Sequence, residues 1–354
     1  MFMEMASIFL NKVLSEVAGK QAAGVHLAVG SVPLAREGDR LLPIADEDVI
    51  TEKKIKDILD SFLSQEELQE LKEKKELLVV KNFFDKFRFR VNIFYQKGVP
   101  SLAFHYISEN IIDWDKIQFS EISKQVISFS AGLVIVTGPN NSGKSSTAAS
   151  MIEKINKEES RYIVTLESLV ERRFVNKKSI INQRQVGRDV SSYKDGLLNC
   201  LEEDVDVVLI AGIKEEFESN LHLILDLAAG NCLVILEMDT KNSVRTIEKI
   251  LNIMQKEKSI ESSCYMLADT LLAIFAQKLI PNKEEGLSLA AEVLLVNSSI
   301  KSLIRDNKIY QLESMMQNFT DEGMISITKS IRNLVDQGLV NPEEVEKLNL
   351  DIDV

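Results

Sequence analysis

The sequence predicts an α/β protein of two units. Residues 1–110 read as an α+β unit, and residues 111–354 as a mainly parallel sheet covered by helices, with a helical C-terminal region. Three observations carry that reading. From about residue 111, short apolar runs alternate with helical patterns, as in a parallel sheet buried on both faces. Before that point, β-branched and aromatic runs are joined by Gly and Pro turns, the mark of antiparallel strands. Within the second unit, "TGPNNSGKSS" (137–146) has the spacing G-x-x-x-x-G-K-S, between an apolar run and a helical one.

Taken in order, a helix is expected over residues 4–18, then strand-like runs in "VHLAVG" and "PLAREGDRLLPI". Two charged helices follow in "TEKKIKDILDSFLSQEELQELKEKK", where Leu and Ile recur at three- and four-residue spacing. The charge of that run reads as a solvated helix face. "ELLVVKNFFDKFRFRVNIFYQKGVPSLAFHYI" predicts antiparallel strands broken at 97–100. In the second unit the expected strands are "GLVIVTG", "YIVTLES", "VDVVLIAG" and "CLVILEM". The expected helices begin at Lys144, span 215–229 and begin again near Asn242. The last 60 or so residues read as mostly helical.

Composition narrows the function classes. A net charge of −12 argues against a general nucleic-acid binder, because phosphate backbones need a surplus of Lys and Arg. No apolar run reaches the roughly 18–20 residues needed to span a bilayer. The first helix alternates apolar and polar residues and lacks a signal peptide's unbroken apolar core, so a cytoplasmic location is expected. Cys200, Cys232 and Cys264 are far apart in apolar patterns and form no C-x-x-C, so they read as structural. Three histidines are too few for a histidine-built zinc site.

The phosphate loop carries the chemistry. Gly138, Pro139, Asn140, Asn141, Ser142 and Gly143 form a loop whose amides, with those of the following helical turn, converge on phosphates. Lys144 is placed to reach the β- and γ-phosphates, and the Ser145 hydroxyl to join a Mg²⁺ shell, with Ser146 beside it. ATP and Mg²⁺ are therefore the expected ligands. About one chain in a hundred of this length matches the pattern by accident. The strand before and the helix after make accident far rarer. Asn141 is acceptable in the turn because Asn tolerates positive φ.

Read as a whole, the chain resembles the type IV pilus retraction (twitching motility, PilT-like) ATPases of the secretion ATPase superfamily. "GVHLAVG" with "PLAREGD" is similar to the family's early strand motif, with Gly24 where the family has an acid. "FRFRVNIF" (87–94) resembles its arginine-bearing strand, and "GLVIVTGPNNSGKSS" its Walker A. "IVTLES" resembles its Asp-box strand, and "INQRQVGRD" (181–189) the segment after it. "SIKSLIRD" (299–306) is close to a signature of the retraction branch. The resemblance implies an N-terminal PAS-like domain and linker over 1–110 and a RecA-like P-loop domain over 111–354. It implies nucleotide between the two domains, with Arg88 and Arg90 as candidates to approach the phosphates. From the residues alone, alternating Arg and Phe reads instead as an exposed edge face. It further implies a homohexameric ring, or a mixed ring with a related pilus ATPase, working against an inner-membrane platform protein. Such a ring lies peripherally at the inner face of the membrane without inserting.

Parts of the hydrolytic apparatus depart from the family. Its Walker B glutamate falls on Gly212, and the preceding glycine on Ala211. Glycine has no side chain to orient water or hold a Mg²⁺ shell. Asp204 and Asp206 precede that strand, at its wrong end. In the His box, "AGNCLVILEMDT", the family's histidine positions read Asn231 and Met238. A family arginine falls on His105, and the Asp box reads "LES", with Glu167 kept and Ser168 after it. Glu167 is the first candidate to rescue the chemistry and Glu237, which ends "CLVIL", the second. Two readings follow: a ring ATPase with impaired hydrolysis, or a pseudo-ATPase that partners an intact motor. A generic P-loop protein is a third, disfavoured by the full-length resemblance.

Overall fold

The computed structural model describes residues 2–19, 23–37, 40–84, 86–283 and 286–346. The chain divides into two compact units, Met1–Asn110 and Ile111–Val354.

In the first unit the strands are β1 (Gly24–Leu27), β2 (Leu34–Glu37), β3 (Arg40–Pro43), β4 (Glu76–Phe83), β5 (Phe87–Gln96) and β6 (Val99–Ile107). They form a six-stranded sheet in the order β3-β2-β1-β6-β5-β4. Every neighbouring pair is antiparallel. The run "PLAREGDRLLPI", expected as one strand-like stretch, supplies both β2 and β3, and residues 38–39 between them lie outside the described residues. Helices α1 (Phe2–Gly19), α2 (Glu52–Phe62) and α3 (Gln65–Lys74) complete the unit. Ile55, Ile58 and Leu59 give α2 one buried face, and they share a core with Val13, Leu14, Phe89 and Phe104. Ser64 and Glu67 start α3 with a reciprocal capping box.

In the second unit the strands are β7 (Gly132–Thr137), β8 (Tyr162–Glu167), β9 (Ile180–Gln185), β10 (Val207–Ala211), β11 (Leu233–Met238), β12 (Leu271–Pro281) and β13 (Leu287–Leu295). The sheet order is β13-β12-β7-β11-β10-β8-β9, with parallel pairing from β12 to β9 and β13 antiparallel at the edge. Helices α4 (Glu121–Lys124), α5 (Lys144–Glu158), α6 (Tyr193–Glu202), α7 (Phe217–Ala229), α8 (Ser243–Met254) and α9 (Ile260–Thr270) belong to this sheet region. Helices α10 (Ser298–Arg305), α11 (Leu312–Asn318), α12 (Ile327–Asp336) and α13 (Pro342–Glu346) form the C-terminal region. Along β7, Leu133 and Ile135 enter the core with α7 and α9, whereas Val134 and Val136 enter the core with α5. This period of two explains the unbroken apolar runs, because both faces are covered.

Three strands go unassigned from the sequence. The polar "IINQRQ" of β9 is an edge strand with mostly exposed or half-buried residues, so it lacks the apolar mark of its neighbours. The Leu- and Ala-rich β12 and β13 have no strong strand propensity; pairing with β7 holds β12 extended. The three cysteines are buried free thiols, and burial pushes Cys200 and Cys232 up to about 12, which leaves them inert. No helix among the described residues is long and apolar enough to cross a membrane.

Core packing of the second unit gives a direct test. Ile235 on β11 is fully buried, so Ile235→Ala should cost about 2–5 kcal/mol. The exposed Val175→Ala should change stability by less than about 0.5 kcal/mol. Trp114, the chain's one tryptophan, is buried in this unit, so its fluorescence during urea unfolding reads both variants.

Candidate functional site

Parallel pairing brings the carboxyl ends of β7, β11, β10 and β8 to one edge of the sheet. There β7 runs into the loop 138–143 and α5. Gly138 has φ 149°, and a Cβ on it would overlap the Gln277 carbonyl oxygen and stand 2.5 Å from Ser142 Oγ. Only glycine fits that bend. Asn141 is left-handed at φ 62°, as expected for Asn, and Gly143 (φ 89°) is the N-cap of α5. The first amides of α5 have no acceptor within the helix and point out of its N-terminus.

Lys144 folds back over the loop. Its Nζ donates to the carbonyls of Gly138 and Pro139, each at 2.8 Å, and pairs with Asp239 Oδ1 at 3.0 Å. Ser145 Oγ donates to Glu237 Oε2 at 3.1 Å. Glu237 is 9 % exposed, and burial pushes its carboxyl up to about 7 against the opposing effects of Ser145 and Lys144. Thr137 Oγ1 meets the carbonyls of Met238 and Thr240 at 3.1 and 3.2 Å, which locks the end of β7 to the segment after β11.

Glu167, at the end of β8, accepts from Thr165 Oγ1 at 2.7 Å and Gln183 Nε2 at 3.3 Å through the same oxygen, Oε1. Burial raises its pKa as well. Of the two candidate acids, Glu237 is the one that touches the phosphate-loop helix. Arg172, in the segment between β8 and β9, donates from Nη2 to Ser146 Oγ at 3.0 Å. Neither Arg172 nor Asp239 is singled out by sequence reasoning. The available signal is their position, just past the carboxyl ends of parallel strands, where α/β sheets gather ligand-binding groups.

The end of β10 brings no acid. Gly212 stands in the left-handed region at φ 76°, and a Cβ there would overlap Ser168 Oγ and stand 2.9 Å from Ser168 Cβ. The Ser168 N–H and the Tyr193 hydroxyl both donate to Ala211 O, at 3.2 and 2.6 Å, fixing this corner. Asp206, at the amino end of β10, accepts the Tyr162 N–H at 2.7 Å and so serves the strand edge. Asn231 is exposed in a turn, and Met238 is buried at the end of β11. In the first unit, Arg88 on β5 is buried and donates to Asn82 Oδ1 at 2.9 Å, while Arg90 lies opposite His105 on β6.

The residues present fit a nucleotide with a magnesium ion. Ser142 Oγ is buried with no hydrogen-bond partner among the described residues, inside a loop that no side chain on Gly138 could share. Ser145 gives its proton to Glu237, so its oxygen lone pairs stay available to a cation. No cluster of three or more His, Cys, Asp or Glu side chains suited to a metal occurs among the described residues. Mg²⁺ is commonly held by one or two carboxylates, water and substrate phosphates, and Ser145 with Glu237 would supply the protein's share here.

The chain is similar to known proteins over most of its length. The profile of the family described as Type II/IV secretion system protein matches residues 108–347. A twitching motility protein of Neisseria gonorrhoeae is 32% identical over 262 residues, covering 73% of this chain and 69% of its own length. The type IV pilus retraction ATPase PilT of Pseudomonas aeruginosa is 29% identical over 347 residues, 96% of this chain and 97% of that protein. A crystal structure of the pilus retraction motor PilT with bound ADP superposes with a TM-score of 0.83 at 31% identity, covering 96% of both chains.

The buried acid makes stability depend on pH. The Glu237 pKa of about 7 lies above its unfolded value of about 4.3. The native state therefore holds the extra proton, and the associated stability is full below pH ~4.3 and lost as pH rises through 7. In EDTA without nucleotide, wild type should lose up to roughly 3 kcal/mol relative to Glu237→Gln between pH 4.5 and 8. Parallel melting curves for the two proteins would contradict this. At the neighbouring strand end, Gly212→Ala should cost about 1–3 kcal/mol from backbone strain and overlap. Adding Ser168→Gly should recover the overlap part in a double-mutant cycle.

Proposed function

The chain belongs to the type II/IV secretion system protein family, and on that premise we propose that it is an ATP-binding, ring-forming member of the pilus retraction branch with impaired hydrolysis. The observation that carries this reading is Gly212, held at φ 76° against Ser168 at the strand end where the family keeps a glutamate. In favour of an intact cradle are the glycine-only bend at Gly138, the left-handed Gly143 that begins α5, and Lys144 and Ser145 in its first turn.

The roles follow from contacts. Lys144 supplies positive charge over the loop and Asp239 holds its ammonium in place. Loop amides and the first turn of α5 face the phosphates. Ser145 offers an oxygen to the cation while Glu237 fixes the direction of its hydroxyl. A bound magnesium ion would supply charge neutralisation for the phosphates. Glu237 is the acid best placed to assist hydrolysis, ahead of Glu167, whose Oε1 is engaged by Thr165 and Gln183.

By resemblance, the working form is a homohexamer or a mixed ring with a related pilus ATPase, docked on a membrane platform protein. A second reading, a pseudo-ATPase partner of an intact motor, draws on the same pairing of whole cradle and missing acid. Such a chain occupies a nucleotide-bound position in a mixed ring without turning over.

Steady-state ATP turnover by the full chain, with Lys144→Ala as the blank, tests the proposal. Loss of a positioned acid–base group costs about 10²–10⁴ in rate. Turnover should therefore fall well below the ~10 per second of a median enzyme. Turnover on the order of 10 per second, abolished in Lys144→Ala, would refute impaired hydrolysis.

A further inference from the structure

We propose that Arg172 is a phosphate-contacting residue of the nucleotide site, supplied by the segment between β8 and β9 of the same unit; this rests on the nucleotide-cradle reading above. The segment 168–179 has no regular secondary structure, yet two side-chain amides hold its backbone. Gln183 on β9 accepts the Phe174 N–H at 2.9 Å and donates to the Arg172 carbonyl at 2.8 Å. Asn156, fully buried on α5, accepts the Lys177 N–H at 3.0 Å and donates to the Val175 carbonyl at 2.9 Å. The backbone around Arg172 is therefore fixed to the same helix that begins at the phosphate loop.

From that anchored position the guanidinium reaches the first turn of α5, with Nη2 3.0 Å from Ser146 Oγ. Arg172 is half-buried, and burial opposes its charge, while the carboxylates that favour it are Glu171, Glu237 and Glu167. A guanidinium has five N–H donors in a fixed fork, and the bond to Ser146 uses one of them. Taking a cation out of water is costly unless anions and acceptors replace that water. A polyphosphate at the helix N-terminus provides both.

Local charge points the same way. Glu167, Glu171, Glu237 and Asp239 surround this corner, against Lys144 and Arg172. Lys144 is already shared between two carbonyls and Asp239. Besides Lys144 and a magnesium ion, Arg172 is a further cation at this acidic corner, and guanidinium forks suit phosphate oxygens. Such charge-assisted bonds typically contribute a factor of about 10–100 in affinity.

Equilibrium binding of fluorescent ADP and ATP analogues to the full chain tests the assignment, with melting temperature measured without nucleotide. Arg172→Ala and Arg172→Gln should weaken both nucleotides about 10- to 100-fold with little change in melting temperature, and Arg172→Lys should fall between. If Arg172→Ala destabilises the fold, Arg172→Gln decides. A folded Arg172→Gln that binds like wild type, while Lys144→Ala does not bind, overturns the role of Arg172 alone. Wild type binding no better than Lys144→Ala overturns the nucleotide cradle itself.

Discussion

The parallel register of β7 with β11, Val136 opposite Glu237 and Thr137 opposite Met238, is the constraint on which the site depends. It brings two acids of one strand end to two consecutive residues of the phosphate-loop helix: Glu237 to Ser145 and Asp239 to Lys144. A slip of one residue would turn Glu237 to the opposite face of the sheet. Thr137 Oγ1, bonded to the Met238 and Thr240 carbonyls, guards against that slip at the place where it would do most harm. The hydrophobic residues of β7 and β11 are buried on both faces, so the register is enforced by packing along its whole length.

The end of β10 is organised differently. Gly212 adopts a left-handed conformation, Ser168 occupies the space of a missing side chain, and Tyr193 and Ser168 both bond to Ala211 O. An acid restored at position 212 would meet both backbone strain and a filled space. In this protein the absence of a carboxylate is built into the packing of two strand ends. The acids that reach the loop helix have instead gathered on β11 and just after it.

How far the fold and the site are legible in the sequence depends on the distance between partners. The phosphate loop is a contiguous motif, so its glycines, Asn141 and Lys144 are assigned from the sequence alone. Alternating apolar runs mark β7, β8, β10 and β11 because full burial on both faces writes itself into composition. The polar edge strand β9 and the Leu- and Ala-rich β12–β13 hairpin have no such mark, since pairing rather than propensity extends them. Resemblance ranks Glu167 above Glu237, but only the register puts one of them against Ser145. Arg172 meets Ser146 across 26 residues of chain, through a segment held by Gln183 and Asn156, which no local pattern reveals.

The central claim is that the chain holds a nucleotide it can hardly cleave. A single-turnover experiment tests it most directly: ATP labelled at the γ-phosphate is bound to excess protein with magnesium and quenched over time. A loss of about 10³ from a typical rate near 10 per second leaves a half-life on the order of a minute. Bound ATP should persist on that scale or longer. Complete conversion of bound ATP to ADP within about a second would contradict the claim.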